Sequence, residues 1–159
     1  ETQLDRLRLA RGEEGSAALT AELSRLLVAS GSTEASGPGV RVDVSGQINP
    51  LDLQDLINEL RNAGAEAIAI NGRRVVVRSV VSRDGNDLAL DGARLIAPYV
   101  VEAIAHPDTL EKALLRRGGL VSLLEFAYPG LKITVSKVDG LVLPARPVRM
   151  YFKYAQVVP

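Results

Sequence analysis

Residues 58–77 read NELRNAGAEAIAINGRRVVV, and how this stretch is divided decides the fold. The run ending Asn58-Glu59-Leu60-Arg61 closes a helix, and Gly64 supplies the stop. "EAIAI" (66–70) is too apolar for a solvent-facing strand and suits the interior of a sheet. Asn71-Gly72 is a strong short hairpin signal, because both residues tolerate a positive φ. "RRVVVRSVV" (73–81) is then the return strand. Helix, buried strand and hairpin within twenty positions place a β-sheet against helices.

Working upstream, Asn49 stands at an N-cap position, Pro50 at the first helical position and Asp52 where a capping-box acid belongs. Leu53, Leu56, Ile57 and Leu60 form the inward stripe of that helix. "VRVDV" (40–44) alternates as a strand, and "SGSTEASGPG" (30–39) has the composition of a linker. Before it, Leu19, Leu23, Leu26 and Leu27 share one helical stripe, while Gly12 and Gly15 weaken the spacing begun by Leu4 and Leu7. Residues 1–30 therefore read as a helical arm or the end of a coiled coil, 31–39 as a linker, and 40–159 as the globular domain.

Downstream, Asp84-Gly85-Asn86 turns the chain, and short strands run through "DLALDGARLI". "YVVEAIA" (99–105) is a second interior strand, and Pro107 opens a helix that Gly118-Gly119 interrupts before Leu120, Leu123, Leu124 and Ala127 resume it. "LKITVSKV" alternates, Asp139-Gly140 turns, and "VRMYFKY" (148–154) is a last alternating strand. The order predicts an α+β chain: a ferredoxin-like sandwich with inserted and C-terminal strands, preceded by a helical arm. Right-handed crossovers place both helices on one sheet face.

A chain of 159 residues carries one domain with a real core. It is 47% apolar and 24% charged, as soluble domains are, but with no Trp and two Phe its core must be aliphatic. Lys plus Arg equals Asp plus Glu, which argues against a nucleic-acid binder relying on a general positive field. Cysteine is absent, which excludes disulfides, thiolate metal sites and a thiol nucleophile. No window reaches the ~18 apolar residues of a membrane span. The chain opens at Glu1 rather than Met and reads as a fragment or processed product, leaving room for an upstream anchor.

The polar members of the central stretch, Asn58, Glu59, Asn71, Arg73 and Arg74, are the ligand or partner candidates. Local geometry accounts for each without a ligand: a solvated helix face for Asn58 and Glu59, a turn for Asn71, the hairpin exit for the arginines. If Arg74 faces solvent, Arg74→Ala should barely change stability. "SGPG" (36–39) leads into a strand, whereas a phosphate loop leads into a helix. His106, the sole histidine, has no His or Cys partner for a metal and no nucleophile to serve. The acids are scattered, and the central strands lack the stacked aromatics of an RNA-binding sheet. The expectation is no catalytic set, no cofactor and no metal.

"SGPGVRVDVSG", "DLQDLINELRNAGAEAIAINGRRV" and "APYVVEAIAHPDTLEKAL" resemble the bacterial family called domain of unknown function 881, over about Leu19 to Leu143. Where relatives often carry a longer acidic loop, this chain has the short connection "SGQINP". The resemblance implies a single N-terminal membrane span upstream, a juxtamembrane coiled-coil arm, an exported globular domain at the cell membrane and an envelope or cell-division setting. It supplies no reaction. The expected role is a non-catalytic interaction domain with protein partners, pairing with a second copy through its arm. The rival is a ligand-binding or enzymatic domain whose pocket gathers Asn58, Asn71 and Arg74.

Overall fold

A computed structural model describes residues 3–146, 153–156 and 158. The chain has a mixed α+β fold, with a long N-terminal helix and antiparallel sheets. The last strand expected, over 148–154, falls mostly outside the described residues.

Helix α1 runs unbroken from Gln3 to Ser30, straight through Gly12 and Gly15. None of its residues is buried, and a Cβ at either glycine would meet nothing within 4 Å. The helix ends in a Schellman motif. Gly31 takes φ 76°, its N–H donates to the Val28 carbonyl at 3.0 Å, and the Ser32 N–H donates to Leu27 at 3.0 Å.

The linker expected over 31–39 is shorter than its composition suggests. Strand β1 spans Ala35–Ser45 and pairs along its length with β8 (Lys132–Leu143), with a bulge between Gly37 and Gly39. The glycines serve close packing rather than flexibility. A Cβ on Gly39 would lie 1.8 Å from the Ala103 carbonyl oxygen, and one on Gly37 2.9 Å from the Ile104 side chain. Strand β8 also continues through Asp139-Gly140, where a turn was expected: β1 pairs with it on both sides, at Val138 and Leu141, and the two residues are taken up in the bulge opposite Pro38.

The remaining elements are α2 (Pro50–Asn62), β2 (Ala67–Ile70), β3 (Arg73–Val75), β4 (Val81–Asp84), β5 (Asp87–Leu90), β6 (Ala93–Leu95), β7 (Tyr99–Ile104), α3 (Pro107–Leu115) and α4 (Leu120–Ala127). The return strand expected over 73–81 stops at Val75. There the Val76 N–H donates to Ser79 Oγ at 2.8 Å and the Ser79 N–H returns to the Val76 carbonyl at 2.9 Å, turning the chain into a second sheet. The large sheet has the order β3-β2-β7-β1-β8 and the small one β4-β5-β6, all antiparallel.

Period-two alternation puts Val40, Val42 and Val44 on one sheet face with Ile68, Ile70, Tyr99, Val101 and Ala103. Leu53, Leu56, Ile57 and Leu60 of α2, with Leu110, Leu114, Val121 and Leu124 of the later helices, cover that face. Val81, Leu88, Leu90 and Leu95 extend the same core into the small sheet. The opposite face holds a smaller cluster, Ala35, Ala67, Ala69, Ile104, Leu141 and Leu143, against which Val28 packs from the end of α1.

Candidate functional site

Arg74 lies on β3, an edge strand of the large sheet, yet is only 2% exposed. This corrects the solvent-facing alternative. Its Nη2 donates to the Val28 carbonyl at 2.8 Å, and its Nη1 to the carbonyls of Thr33 at 2.9 Å and Pro144 at 3.1 Å. One guanidinium thus holds the last turn of the arm, the start of the connection into β1 and the exit of β8. Burial lowers its pKa from the ordinary value, but a guanidinium titrates far enough above neutrality to stay charged. Around it, the Arg146 N–H donates to the Gly31 carbonyl at 2.7 Å. A Cβ on Gly31 would stand 2.7 Å from Val76 Cγ1, so the arm root sits directly on the hairpin.

Of the other candidates, Arg73 shares a small cleft of about 270 Å³ with Arg74, and the rest lie in separate neighbourhoods. Asn58 is exposed on α2, and Glu59 faces Arg116 at 3.7 Å across the surface. Asn71 takes φ 48° in the hairpin turn. Its Nδ2 donates to the Ile96 carbonyl at 2.9 Å and its Oδ1 accepts the Val100 N–H at 2.7 Å, fastening the turn to the start of β7. Arg73 is exposed. The structure does not bring Asn58, Asn71 and Arg74 together around one cavity.

Two larger clefts form, and Arg74 lines the first of them. The larger, about 690 Å³, opens at the arm root between Ser24, Arg25, Val28 and Ala29 of α1 and the far end of the hairpin, with Ala67, Ile68, Val75 and Val77 beneath. Arg61 lines it too, donating through Nη2 to the Val76 carbonyl at 3.0 Å.

The second, about 620 Å³, lies where α2 begins, beside β4 and the end of α4. Here Arg83 Nη2 donates to Asn49 Oδ1 at 2.8 Å, Asn49 Nδ2 donates to Tyr128 Oη at 2.8 Å, and the Tyr128 hydroxyl donates to Asp52 Oδ2. The Asp52 hydrogen bond, with some desolvation, raises the Tyr128 pKa above that of an ordinary phenol. Asn49 and Asp52 therefore do not cap α2 through their side chains as their positions suggested; they form a polar clasp joining three elements. His106, at the matching position of α3, likewise makes no side-chain cap, and its Nδ1 lies 3.5 Å from the Thr109 hydroxyl. Among the described residues no group of three or more His, Asp or Glu is placed to hold a metal ion, and no helix is long and apolar enough to cross a membrane.

The sequence reading named Arg74 as a candidate but none of the other residues of the larger cleft, and it missed the second cleft. Arg25, Arg61 and Val77 carry no local signal, and Tyr128 meets Asp52 only through folding. The leucines of α1 were the one legible pointer to the arm.

A small α+β domain with a long exposed helix and an arginine-fastened root is the class of protein defined here. The chain belongs to the family of bacterial proteins of unknown function DUF881, whose model matches residues 22–156. It is 33% identical over 166 residues to a UPF0749 protein of Mycobacterium tuberculosis (strain CDC 1551 / Oshkosh), a match covering 91% of this chain and 53% of that protein. It is also 39% identical over 73 residues to the UPF0749 protein YlxW of Bacillus subtilis, covering 46% of this chain and 32% of that one. The chain spans about half the length of the mycobacterial relatives it matches. The crystal structure of an uncharacterized conserved protein from Mycobacterium tuberculosis is similar at TM-score 0.75 and 33% identity, covering 86% of this chain and 99% of that one.

Proposed function

We propose that the chain is a non-catalytic protein-interaction domain of a membrane-anchored bacterial protein, displayed outside the cytoplasm and pairing with a second copy through α1. The observation that carries this reading is the arm itself. Leu19, Leu23 and Leu26 are 74%, 57% and 57% exposed, at spacings of four and three that form one stripe. A helix of 28 residues extends about 42 Å and, without tertiary packing, gains little stability from propensity alone. A partner helix supplies the missing packing. The root clasp around Arg74 supports the same reading, since it fixes the direction in which the arm leaves the domain.

Membrane attachment and an envelope role rest on the family resemblance, and scaffolding fits a domain that offers a surface. With β3 set aside, the sheet order β2-β7-β1-β8 and the intervening helices support reading the fold as a ferredoxin-like sandwich with the small sheet as an insertion.

Sedimentation equilibrium of the chain, with photo-crosslinking from Leu23 in cell membranes, tests the proposal. The expected result is a self-association that Leu19→Ser/Leu23→Ser/Leu26→Ser abolishes, with the protein itself or one reproducible partner crosslinked. A monomer at all concentrations that crosslinks nothing reproducible overturns it.

A further inference from the structure

The cleft at the arm root is built as a small-molecule site is built, and nothing in the pairing of the arm accounts for it. Its volume of about 690 Å³ lies within the range of ligand pockets, roughly 300–1,000 Å³. Its walls are aliphatic: Val28 and Ala29 from α1, Ala65 after α2, Ala67 and Ile68 from β2, Val75 from β3. Val77 lines it while 78% exposed, so an apolar side chain stands in water at the cleft. An occupant with an apolar body would remove that surface from solvent.

The charged groups lining the cleft are Arg25, Arg61, Arg74 and Glu66, a surplus of cations. Among the described residues Arg61 and Arg74 have no carboxylate partner within ion-pair distance, both donating to carbonyls instead. Arg25 faces Glu22 at 3.5 Å, a pair exposed on both sides and therefore easily exchanged. Three of the five Arg74 N–H groups are engaged by carbonyls. Such a cleft selects a molecule with one aliphatic chain and one anionic end.

We infer that the arm-root cleft binds a single-chain aliphatic carboxylic acid, its chain against Val28, Ala29, Ala67 and Val77 and its carboxylate among Arg25, Arg61 and Arg74. The site does not depend on the pairing proposed above, because all its lining residues belong to one copy.

Calorimetric titration of the chain with decanoate, below its micelle concentration, tests the inference, with decanol and decyltrimethylammonium as neutral and cationic counterparts. Decanoate should bind saturably at one site per chain, at least tenfold more tightly than either counterpart. Arg25→Glu, on an exposed helix position, should weaken it at least fivefold. Ala29→Trp, which fills the cleft from the helix side, should abolish it. Amide chemical shifts should move at Ala65, Ala67, Val75 and Val77 and stay fixed at Asn49, Arg83 and Tyr128. Equal affinity for decanol, binding unchanged by Ala29→Trp, shifts centred on the Tyr128 clasp, or no saturable binding overturns the inference.

Discussion

The Arg74 guanidinium donates to the Val28 carbonyl at 2.8 Å, tying an edge strand of the sheet to the last turn of the arm. Two segments 46 positions apart in the chain are held by one side chain, whose other contacts secure Thr33 and Pro144. The arm therefore leaves the domain from a defined root rather than from a flexible tether.

Removing that side chain should be costly. Arg74→Ala strands three carbonyls in a buried place, and the expected loss is about 2–4 kcal/mol, since hydrogen bonds to charged groups are stronger than neutral ones. Arg74→Lys should restore only part of it, because an ammonium cannot reproduce the planar fork. Urea denaturation measures the loss. Hydrogen exchange should show the Gly31 and Ser32 amides opening well before the core.

The hairpin and the β1–β7 contact can be tested separately. Ile68→Ala, at a side chain only 3% exposed, should cost ~2–5 kcal/mol through its cavity. Gly72→Val meets no neighbour but forces a β-branched residue to φ 75°, for roughly 1–2 kcal/mol. Gly39→Ala should cost about 2 kcal/mol or more for a different reason, as its methyl would collide with the Ala103 carbonyl of β7. Equilibrium unfolding of the three variants, with all midpoints unchanged, would contradict the joint described here.

Acid should loosen the connection between the small sheet and the exit of β8. Burial works to raise the Asp91 pKa, but the Val80 N–H, Arg146 and Ser79 outweigh it and hold the carboxyl below its ordinary 3.8. A folded-state value below the unfolded one means the contribution is complete above 3.8 and is lost as pH falls through the folded-state value. Stability measured against pH should therefore drop at the acid end, and Asp91→Asn should flatten that limb.

The arm offers a gain rather than a loss. Gly12 and Gly15 are helical, exposed and without neighbours, so each change to Ala should stabilise the helix by about 1 kcal/mol. Circular dichroism of the double variant should show a higher-melting helical component while core unfolding stays put.

Much of the architecture was legible because it is written in local chemistry. The Leu53-Leu56-Ile57-Leu60 stripe, Pro50 at the first turn, and the positive φ demanded at Asn71 and Gly72 each name their element within a few residues. Errors came where a distant partner overrode the local signal. Gly37 and Gly39 look like linker until β7 presses against them, and Asp139-Gly140 looks like a turn until β1 pairs with β8 on either side of it and leaves it as a bulge.

The candidate site was far less legible. Asn71 was read correctly as a turn residue, but its two bonds to the Ile96 and Val100 backbone are invisible without the fold. Nothing near Arg74 in the chain announces that it is buried.

By itself, the amino-acid order determined the helices, the hairpin, the aliphatic core and the membership of this family, since periodicity, caps and turn residues act over a few positions. Only the tertiary structure decided that Arg74 is a clasp, that Asn49, Arg83, Tyr128 and Asp52 form a chain, and that a cleft opens beneath the arm. Those are meetings between groups far apart in sequence, and a side chain's environment is set by what the rest of the chain packs around it.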